Sequence, residues 1–326
     1  ACRYFFENGK VINGYTDPNQ FAAEMQEKTG EPRENILRYL HNAGKRYSYL
    51  GNIFLEHSLH DKKTWFTKDI FKALQHTRAS YLFTSLNTYN SKQFVAAETI
   101  QLFNRFATYN GSNPYKAPAM LSMIAHVEFN EGIYYPKNGM ISIAEALYKL
   151  ALKKNVRFCF NTAVSKILYS NNKAEGIEVH NDKVYAPVIV SNADINDTYR
   201  YLLGNQQRFS RLQKQERSSS AVIFYWGIKK QFPQLDLHNI FFAKDYAAEF
   251  DHVFNKKNIY NDPTVYINIT SKYDPSHAPE GKENWFVMIN VPSDSGQQWN
   301  ELVIELKQYV VHKINRLLKT SIESLI

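Results

Sequence analysis

The chain changes character within residues 125–147, which read AHVEFNEGIYYPKNGMISIAEAL. Upstream of Phe129, most apolar residues follow helical spacing. Residues 133–135 then predict a short strand, and the Pro-Lys-Asn-Gly segment 136–139 predicts a turn. From Met140 the apolar residues recur at intervals of three and four, which predicts a helix. This stretch therefore divides a helical first part of the chain from a second part in which helices and strands alternate.

Upstream of this stretch, the sequence predicts a hairpin followed by helices. Asn8-Gly9 supplies the tight turn of a hairpin over residues 3–15. Asp17 as N-cap, with Pro18 at the first helical position, predicts a helix that ends at Gly30. A long helix is predicted by an apolar stripe at Ile36, Leu40, Ala43, Tyr47, Leu50 and Phe54. Further helices are predicted over residues 67–78, 96–108 and 118–129.

Downstream, short strands dominate. A strand over residues 156–160 and a β-meander are predicted, the meander over residues 163–169, 175–180 and 183–190. A helix near 196–203 follows. The last third predicts strands over 221–227, 239–243, 265–270 and 285–291, and a final helix over 297–318.

Composition narrows the class of protein. The 326 residues carry a formal net charge of +8, and 22 Tyr and 21 Phe bring the aromatic fraction to 14%. That fraction suits a protein that handles a large apolar or conjugated ligand, but composition alone favours the simpler interpretation, an aromatic core. Cys2 and Cys159 cannot build a disulfide framework, and Cys159 is interpreted as a buried thiol in a reducing compartment. The chain opens without Met in what reads as a strand, so we expect a piece of a longer protein.

Motifs for metal, nucleotide and acyl-transfer chemistry are absent from the sequence. It contains no GxGxxG, no Walker A loop, no HExxH and no GxSxG, and its histidines follow no ligand spacing, so no metal site is expected. Four glutamates are plausible acids, but each is interpreted as a solvated surface carboxylate, and no catalytic group is assigned. They are Glu24, Glu56, Glu128 and Glu131.

A basic and aromatic segment lies on the long predicted helix. It could be a solvated face, a contact with an anionic membrane surface or a contact with nucleic acid. No nucleic-acid-binding module accompanies it, so nucleic acid is not the expected partner. The basic residues are Arg33, Arg38, Lys45 and Arg46.

Three stretches together resemble the phytoene desaturase family, the bacterial FAD-dependent carotenoid desaturases. They are residues 103–119 (FNRFATYNGSNPYKAPA), residues 125–147 and residues 188–194 (VIVSNAD). The resemblance implies a mixed α+β and α/β flavoprotein of the amine-oxidase-like two-domain type. In it, a β-sheet substrate domain with a helical lid accompanies part of a Rossmann-like FAD domain with a β-meander. The implied boundaries are 1–16 for the substrate-domain hairpin, 17–130 for the lid, 131–200 for the middle segment of the FAD domain and 201–326 for the substrate domain with its closing helix.

The same resemblance implies an activity. The parent enzyme would desaturate an acyclic carotenoid by hydride transfer to FAD; the carotenoid could be phytoene, a later intermediate or a hydroxycarotenoid. It would be cytoplasmic, peripheral on the inner face of the membrane. Carotenoid isomerase, retinol saturase and protoporphyrinogen oxidase remain alternatives within this kind of flavoprotein. A non-catalytic lipid-binding module is an alternative of another class.

The resemblance also implies site residues. Gly139, Val164, Asn192 and Ala193 are expected to contact the flavin, and Arg105, Tyr109, Tyr135 and Met140 the substrate. The family carries its Gly-rich phosphate loop and a second flavin-contacting stretch outside the region matched here, so we expect this chain alone to purify without FAD. The family usually has a glycine where Asn138 stands, and asparagine tolerates the left-handed conformation that such a turn needs.

Overall fold

A computed structural model describes residues 2–58, 61–68, 70, 72–73, 80–132, 134–171 and 173–326. The chain forms two compact units. The larger contains residues 1–140 and 218–326, and the smaller contains residues 141–217. The predicted domain boundaries at 16, 130 and 200 remain predictions.

Most strands lie where alternating or continuous apolar residues predict them. The strands are β1 (Cys2–Phe5), β2 (Val11–Gly14), β3 (Val164–Ser170), β4 (Lys173–Val179), β5 (Asp182–Tyr185), β6 (Ser220–Ile228), β7 (His238–Phe241), β8 (Val265–Asn268) and β9 (Glu283–Val291).

The helices take up most of the first part of the chain and recur singly later. The α-helices are α1 (Pro18–Thr29), α2 (Arg33–Glu56), α3 (Ser80–Phe83), α4 (Leu86–Gln93), α5 (Ala97–Asn104), α6 (Ile124–His126), α7 (Ile141–Lys153), α8 (Ile195–Asp197), α9 (Gln206–Leu212), α10 (Tyr246–Asp251) and α11 (Trp299–Leu318). Short 3-10 turns occur at Lys62–Phe66, Arg105–Asn110, Ala119–Met123, Thr270–Lys272, Pro275–His277 and Ile322–Ser324, and π turns at Val127–Glu131, Thr198–Leu202 and His252–Lys256.

A mixed sheet forms the centre of the larger unit. Its strand order is β2-β1-β7-β8-β9-β6, with β1 and β7 parallel and the other pairs antiparallel. One face packs against α11, where Val287, Leu306 and Val310 are buried in a shared core. The other face meets the helical region around Tyr4 and Ile240, which share a second core with residues of α1, α2 and α5.

The pairing of the strands aligns one side chain from each of five strands in a row across that second face. Tyr4 lies opposite Ile240, and Ile240 lies opposite Tyr266. Tyr266 in turn pairs with Met288, and Met288 with Ile223. The helices cover the β1 end of the row, whereas Ile223 at the β6 end is exposed. The same sheet face is therefore covered at one side and open at the other.

The helical region begins at the capping residue that the sequence predicts. The side chain of Asp17 accepts a hydrogen bond from the backbone N–H of Gln20, and Gly30 ends α1 with φ +77°. The hairpin also forms, with Gly9 at φ +82° in its turn. The stripe of α2 faces the core through Ile36 and Leu40.

Three predictions in the larger unit need correction. Residues 118–129 are a 3-10 turn, one turn of α-helix and the start of a π turn rather than one helix. Tyr134 and Tyr135 are not in a strand, and Ile133 lies outside the described residues. The helix predicted over 67–78 also falls largely outside the described residues.

Arg46 is buried and does not belong to a basic surface. Its Nη1 donates to the Tyr89 hydroxyl at 3.0 Å, and its guanidinium lies over the Tyr81 and Tyr89 rings.

The smaller unit contains α7, a β-meander and short helices. Strands β3, β4 and β5 form the predicted antiparallel meander. Residues 156–160 are not a strand, and Cys159 is exposed rather than buried. The apolar run around it, including Phe158 and Phe160, packs with Tyr148 in an aromatic cluster.

Candidate active site

The larger unit holds a cavity of about 460 Å³ between the sheet face and the helical region. Most of its walls come from β1, β7, β8 and β9 and from the two motif segments. The lining residues are Cys2, Arg105, Thr108, Tyr109, Glu128, His238, Ile240, Tyr246, Thr264, Tyr266, Met288 and Asn290.

An ion pair lies in the wall of this cavity. Nη2 of Arg105 is 3.2 Å and 3.1 Å from the two carboxylate oxygens of Glu128. The Glu128 side chain is 8% exposed and that of Arg105 12%. The π turn positions Glu128 and the 3-10 turn after α5 positions Arg105. The interpretation of Glu128 as a solvated surface carboxylate is therefore wrong, because a cation 23 residues earlier in the chain compensates its burial.

Two tyrosines complete the cluster, which we call the Glu128 cluster (Tyr4, Arg105, Tyr109 and Glu128). The Tyr4 hydroxyl donates to Glu128 Oε1 at 3.0 Å, and the Tyr109 hydroxyl donates to Oε2 at 2.7 Å. Burial raises the pKa of Tyr109 to about 12 and raises that of Tyr4 well above its ordinary value, so both remain donors at neutral pH. Tyr109 as a whole is 55% exposed, so its ring stands at the rim of the cavity while its hydroxyl reaches inward.

The guanidinium of Arg105 is surrounded by aromatic rings. It lies 5.4, 5.2 and 5.3 Å from the ring centroids of Tyr4, Phe106 and Tyr109. Desolvation opposes its charge, but the nearby Tyr4 and Glu128 hold the pKa of Arg105 above its ordinary value. Its Nε has no hydrogen-bond partner among the described residues, and the ring faces supply part of the missing interaction.

A second polar group faces the cavity from β7 and β8. The His238 Nδ1 is 2.7 Å from the Tyr266 hydroxyl and 3.2 Å from the Asn268 side-chain nitrogen. Burial lowers the pKa of His238, which keeps the ring neutral at pH 7. Because an amide nitrogen can only donate, Nδ1 is the acceptor and the ring hydrogen lies on Nε2. No described residue accepts a hydrogen bond from Nε2.

His238 and Tyr266 also line a neighbouring cavity of about 580 Å³. It contains two of the predicted substrate-contacting residues, Tyr135 and Met140. Its other lining residues are Tyr134, Leu237, Asn268, Tyr273 and Phe286. The structure thus places all four predicted substrate residues in two cavities that share His238 and Tyr266.

The turn before α7 has the conformation expected from its sequence. Asn138 and Gly139 have φ values of +68° and +84°, and the Gly139 N–H donates to Pro136 O at 3.0 Å. A Cβ on Gly139 would lie 3.4 Å from both His277 Cε1 and the Tyr135 hydroxyl. Gly139 therefore packs against side chains of the larger unit, and its contact with a flavin remains a prediction.

The other predicted flavin contacts lie in the smaller unit. Val164 begins β3 and is partly exposed, while Asn192 and Ala193 lie on an exposed loop. Several side chains of α7 are exposed and apolar, including Leu147 and Leu150. The sequence contains no Gly-rich loop to hold a pyrophosphate. The residues present therefore do not fit FAD as a complete site, and no catalytic step is assigned to a flavin on this chain.

Reasoning from the sequence missed several cavity residues, notably His238, Tyr266 and Asn290. Each lies on a strand whose alternate residues face the core at α11, so strand periodicity could have placed them together on the opposite face. Among the described residues, no group of three or more His, Cys, Asp or Glu side chains is arranged to hold a metal ion. In the same part of the chain, no helix combines the length and apolarity needed to cross a bilayer.

Comparison with known proteins finds relatives that belong to one family. A 1-hydroxycarotenoid 3,4-desaturase from a Flavobacterium species is 46% identical over 326 residues, which cover 100% of this chain and 67% of that protein. A phytoene desaturase from Cercospora nicotianae is 35% identical over 222 residues, covering 67% of this chain and 36% of that protein. The chain thus spans about two thirds of the first relative and about a third of the second. No protein-family model matches it.

A solved structure supports the fold class. The crystal structure of an oxidoreductase from Methanosarcina mazei aligns with a TM-score of 0.53 at 15% identity, over 82% of this chain and 59% of that one. The mixed sheet and the antiparallel meander agree with the predicted fold class. The predicted resemblance and the predicted fold class are both confirmed.

Proposed function

Because this chain belongs to the carotenoid desaturase family, we propose that its larger unit binds an acyclic carotenoid across the open face of its sheet. The observation that carries this proposal is the part of the row that the helices leave accessible, from Tyr266 and Met288 to Ile223 at the exposed edge of the sheet, with Ile240 in the wall of the adjoining cavity. At about 4.8 Å between strands, these four residues span about 14 Å. That length suits an extended polyene better than a compact ligand.

The reaction proposed for the whole enzyme is desaturation, in which adjacent carbons of the polyene lose a hydride and a proton. The name of the Flavobacterium relative, a 1-hydroxycarotenoid 3,4-desaturase, supports both a carotenoid substrate and this reaction. Members of the family are generally FAD-dependent, and the flavin supplies the hydride acceptor when bound. The residues of this chain hold the polyene straight against the sheet and exclude water from it.

We also propose that the enzyme contacts an anionic membrane surface, which would deliver an insoluble substrate. If the basic residues of the long helix take part in this contact, Arg46 is not among them, because it is buried. Exposed aromatic side chains instead occur at Trp65, Phe66 and Phe83. They support a docking surface made of residues 61–68 and 80–83, with exposed lysines beside the rings.

Carotenoid binding by this chain tests the proposal directly. Lycopene, an acyclic carotenoid, is added in detergent micelles, and circular dichroism is measured in its visible absorption band. An achiral polyene that is held by the protein acquires a dichroic signal there. Met288→Arg places a charge in the accessible part of the row and should abolish the signal. Ile304→Arg, at an exposed site on α11, is the matched control and should keep it.

Two results would contradict this function. One is the absence of an induced signal with the unaltered chain, and the other is an undiminished signal with Met288→Arg. Analysis of the carotenoid products separates the flavoprotein alternatives. Desaturation removes two hydrogens from the carotenoid, whereas isomerisation leaves its mass unchanged.

A further inference from the structure

We propose that strand β6 is an interface at which two copies of this chain pair edge to edge, in antiparallel orientation about a two-fold axis. β6 stands at one end of the strand order of the mixed sheet and pairs only with β9. No described residue outside β9 makes a hydrogen bond with the backbone of residues 220–228. The inference concerns assembly and does not depend on carotenoid binding.

β6 lacks the features that usually keep an edge strand from pairing. Exposed edges of soluble proteins are commonly short, bulged or charged, or they carry proline. The nine residues of β6 read SAVIFYWGI, without charge or proline, and they pair with β9 one to one without a bulge. The opposite edge of the sheet is protected. There β2 has only four residues, and Glu24 Oε1 accepts a hydrogen bond from the Asn13 N–H at 3.0 Å.

The unpaired length of β6 determines the register of such a pair. Before the strand, the Ser219 N–H donates to Gly111 O at 2.9 Å. After it, the Lys229 N–H donates to Leu325 O at 2.8 Å. The free edge is therefore β6 itself, and its central residue is Phe224. Only a two-fold axis at Phe224 lets the whole edge of one copy pair with the whole edge of the other.

In this register the side chains of the two copies are complementary. An aromatic side chain of one copy lies opposite a β-branched side chain of the other in two pairs, a combination that stabilises antiparallel sheets. The facing pairs are Phe224 with Phe224, Tyr225 with Ile223, Trp226 with Val222, Gly227 with Ala221 and Ile228 with Ser220. The strand therefore fits a second copy of itself, which favours self-association over a different partner.

The pairing would cover apolar side chains that β6 exposes to solvent. On the open face of the sheet, Tyr225 is 79% exposed and Ile223 is 40% exposed. On the face towards α11, Val222 and Phe224 pack against the core but remain partly exposed at the edge. A second copy would remove apolar area of all four side chains from water, which favours association.

The charges that flank β6 do not oppose this pairing. Lys229 and Lys230 follow the strand, and Ser218 and Ser219 precede it. The register places each lysine opposite a serine of the second copy. Like charges, which destabilise a pair of strands when they lie directly opposite each other, are therefore kept apart.

Self-association would also extend the open face of the sheet. Met288 and Ile223 are paired neighbours in the row across that face. Beyond Ile223, the row would continue with Tyr225 and Phe286 of the second copy, which are also paired neighbours. The two copies would then share one continuous face.

Sedimentation equilibrium of the unaltered chain tests association, and we expect a mass twice that of one chain. Tyr225→Lys puts two lysines diagonally across the axis and should raise the dimer dissociation constant at least about tenfold. Tyr185→Lys is the matched control. Tyr185 is 67% exposed on β5, an edge strand of the other sheet, and its substitution should leave the constant unchanged.

A disulfide across the axis tests the register. The exposed Cys159 is first replaced by serine. Phe224→Cys then brings two thiols opposite each other, with Cα atoms about 4.5–5.5 Å apart, which a disulfide can span. Oxidation should give a covalent dimer on non-reducing electrophoresis. Ala221→Cys is the control and should give none, because Ala221 faces Gly227 and its two thiols would lie about 20 Å apart.

Three results would overturn the inference. The first is a chain that remains monomeric at every concentration, and the second is a dimer that Tyr225→Lys leaves intact. The third is a dimer in which Phe224→Cys forms no disulfide. If Phe224→Cys does not fold, a chain with Ile223→Cys is mixed with one that carries Tyr225→Cys, since these exposed positions face each other, and a missing disulfide has the same meaning. Each of these results leaves the proposed carotenoid binding in place.

Discussion

At the scale of single residues, loss of the buried Glu128–Arg105 pair should destabilise the fold. Glu128→Ala leaves the guanidinium of Arg105 buried without its counter-ion and removes the acceptor of two tyrosine hydroxyls. Breaking a buried pair from one side typically costs about 3–5 kcal/mol. We expect a loss of that size in the free energy of unfolding, measured by urea denaturation.

The control for this prediction is an exposed ion pair. Glu27 and Lys28 lie 2.6 Å apart on the surface of α1. Glu27→Ala should change the free energy of unfolding by no more than about 1 kcal/mol, because solvent screens exposed pairs. Equal effects of the two substitutions would show that the Glu128 cluster is not a buried ionic core.

The same cluster shows where reasoning from sequence reaches its limit. The two long motifs point to Arg105 and Tyr109 as residues near the substrate, and the structure puts both in a cavity wall. The sequence does not reveal the burial of Glu128, because a buried carboxylate depends on a cation that only the tertiary fold brings near. The burial of Arg46 is hidden for a similar reason, since the rings that cover it belong to Tyr81 and Tyr89, far along the chain.

At the scale of elements, prediction succeeds where the deciding interactions are local. The cap at Asp17, the left-handed glycine at Gly30 and the Asn-Gly turn are each settled by a few neighbouring residues. Residues 156–160 have the composition of a strand, yet they have no strand neighbour among the described residues and remain irregular. Strand formation depends on a partner strand, which the pattern of one segment cannot show.

The buried carboxyl group of Glu249, which joins α10 to Thr264 at the start of β8, should make the free energy of unfolding depend on pH. Glu249 of α10 is buried, and its carboxylate accepts bonds from the Thr264 N–H at 2.7 Å and hydroxyl at 2.6 Å. Burial raises its pKa from 4.5 to about 7, against the opposing effects of those bonds and of Lys313. The folded state therefore holds a proton that the unfolded state releases, so this contribution is complete below pH 4.5 and disappears as pH rises through 7.

We expect Glu249→Gln to remove that dependence. Between about pH 4.5 and 7.5, the free energy of unfolding of the unaltered chain should fall relative to the variant by an amount on the order of 3 kcal/mol. Urea titrations at several pH values measure the difference. Glu305→Gln, on the exposed face of α11, should follow the unaltered chain. Parallel pH profiles for the unaltered chain and Glu249→Gln would contradict the raised pKa.

At the scale of the whole molecule, the two most exposed phenylalanines among the described residues lie in the helical region. Phe66 is 82% exposed and Phe83 is 88% exposed, values that an isolated soluble surface rarely gives to phenylalanine. Phe83 belongs to α3, which contacts the turn at residues 119–123. Phe66 ends the 3-10 turn at Lys62–Phe66.

The charge beside these rings has the sign that an anionic bilayer attracts. Lys62, Lys63 and Lys68 are exposed next to Trp65 and Phe66. Each basic side chain near such a surface contributes about 1 kcal/mol, and an inserted ring adds the free energy of burying its apolar area. The two contributions respond to different treatments, because salt screens the first and leaves the second.

We therefore expect this chain to sediment with vesicles that contain phosphatidylglycerol and to bind more weakly to vesicles of phosphatidylcholine alone. Phe66→Ser should lower the bound fraction several-fold at every salt concentration, since it removes a ring from the interface. Lys62→Glu combined with Lys63→Glu should lower it mainly at low salt. Ile304→Ser removes an exposed apolar side chain from α11 and serves as the control. If Phe66→Ser binds as well as the unaltered chain while Ile304→Ser does not, the membrane surface lies on the α11 side of the sheet instead.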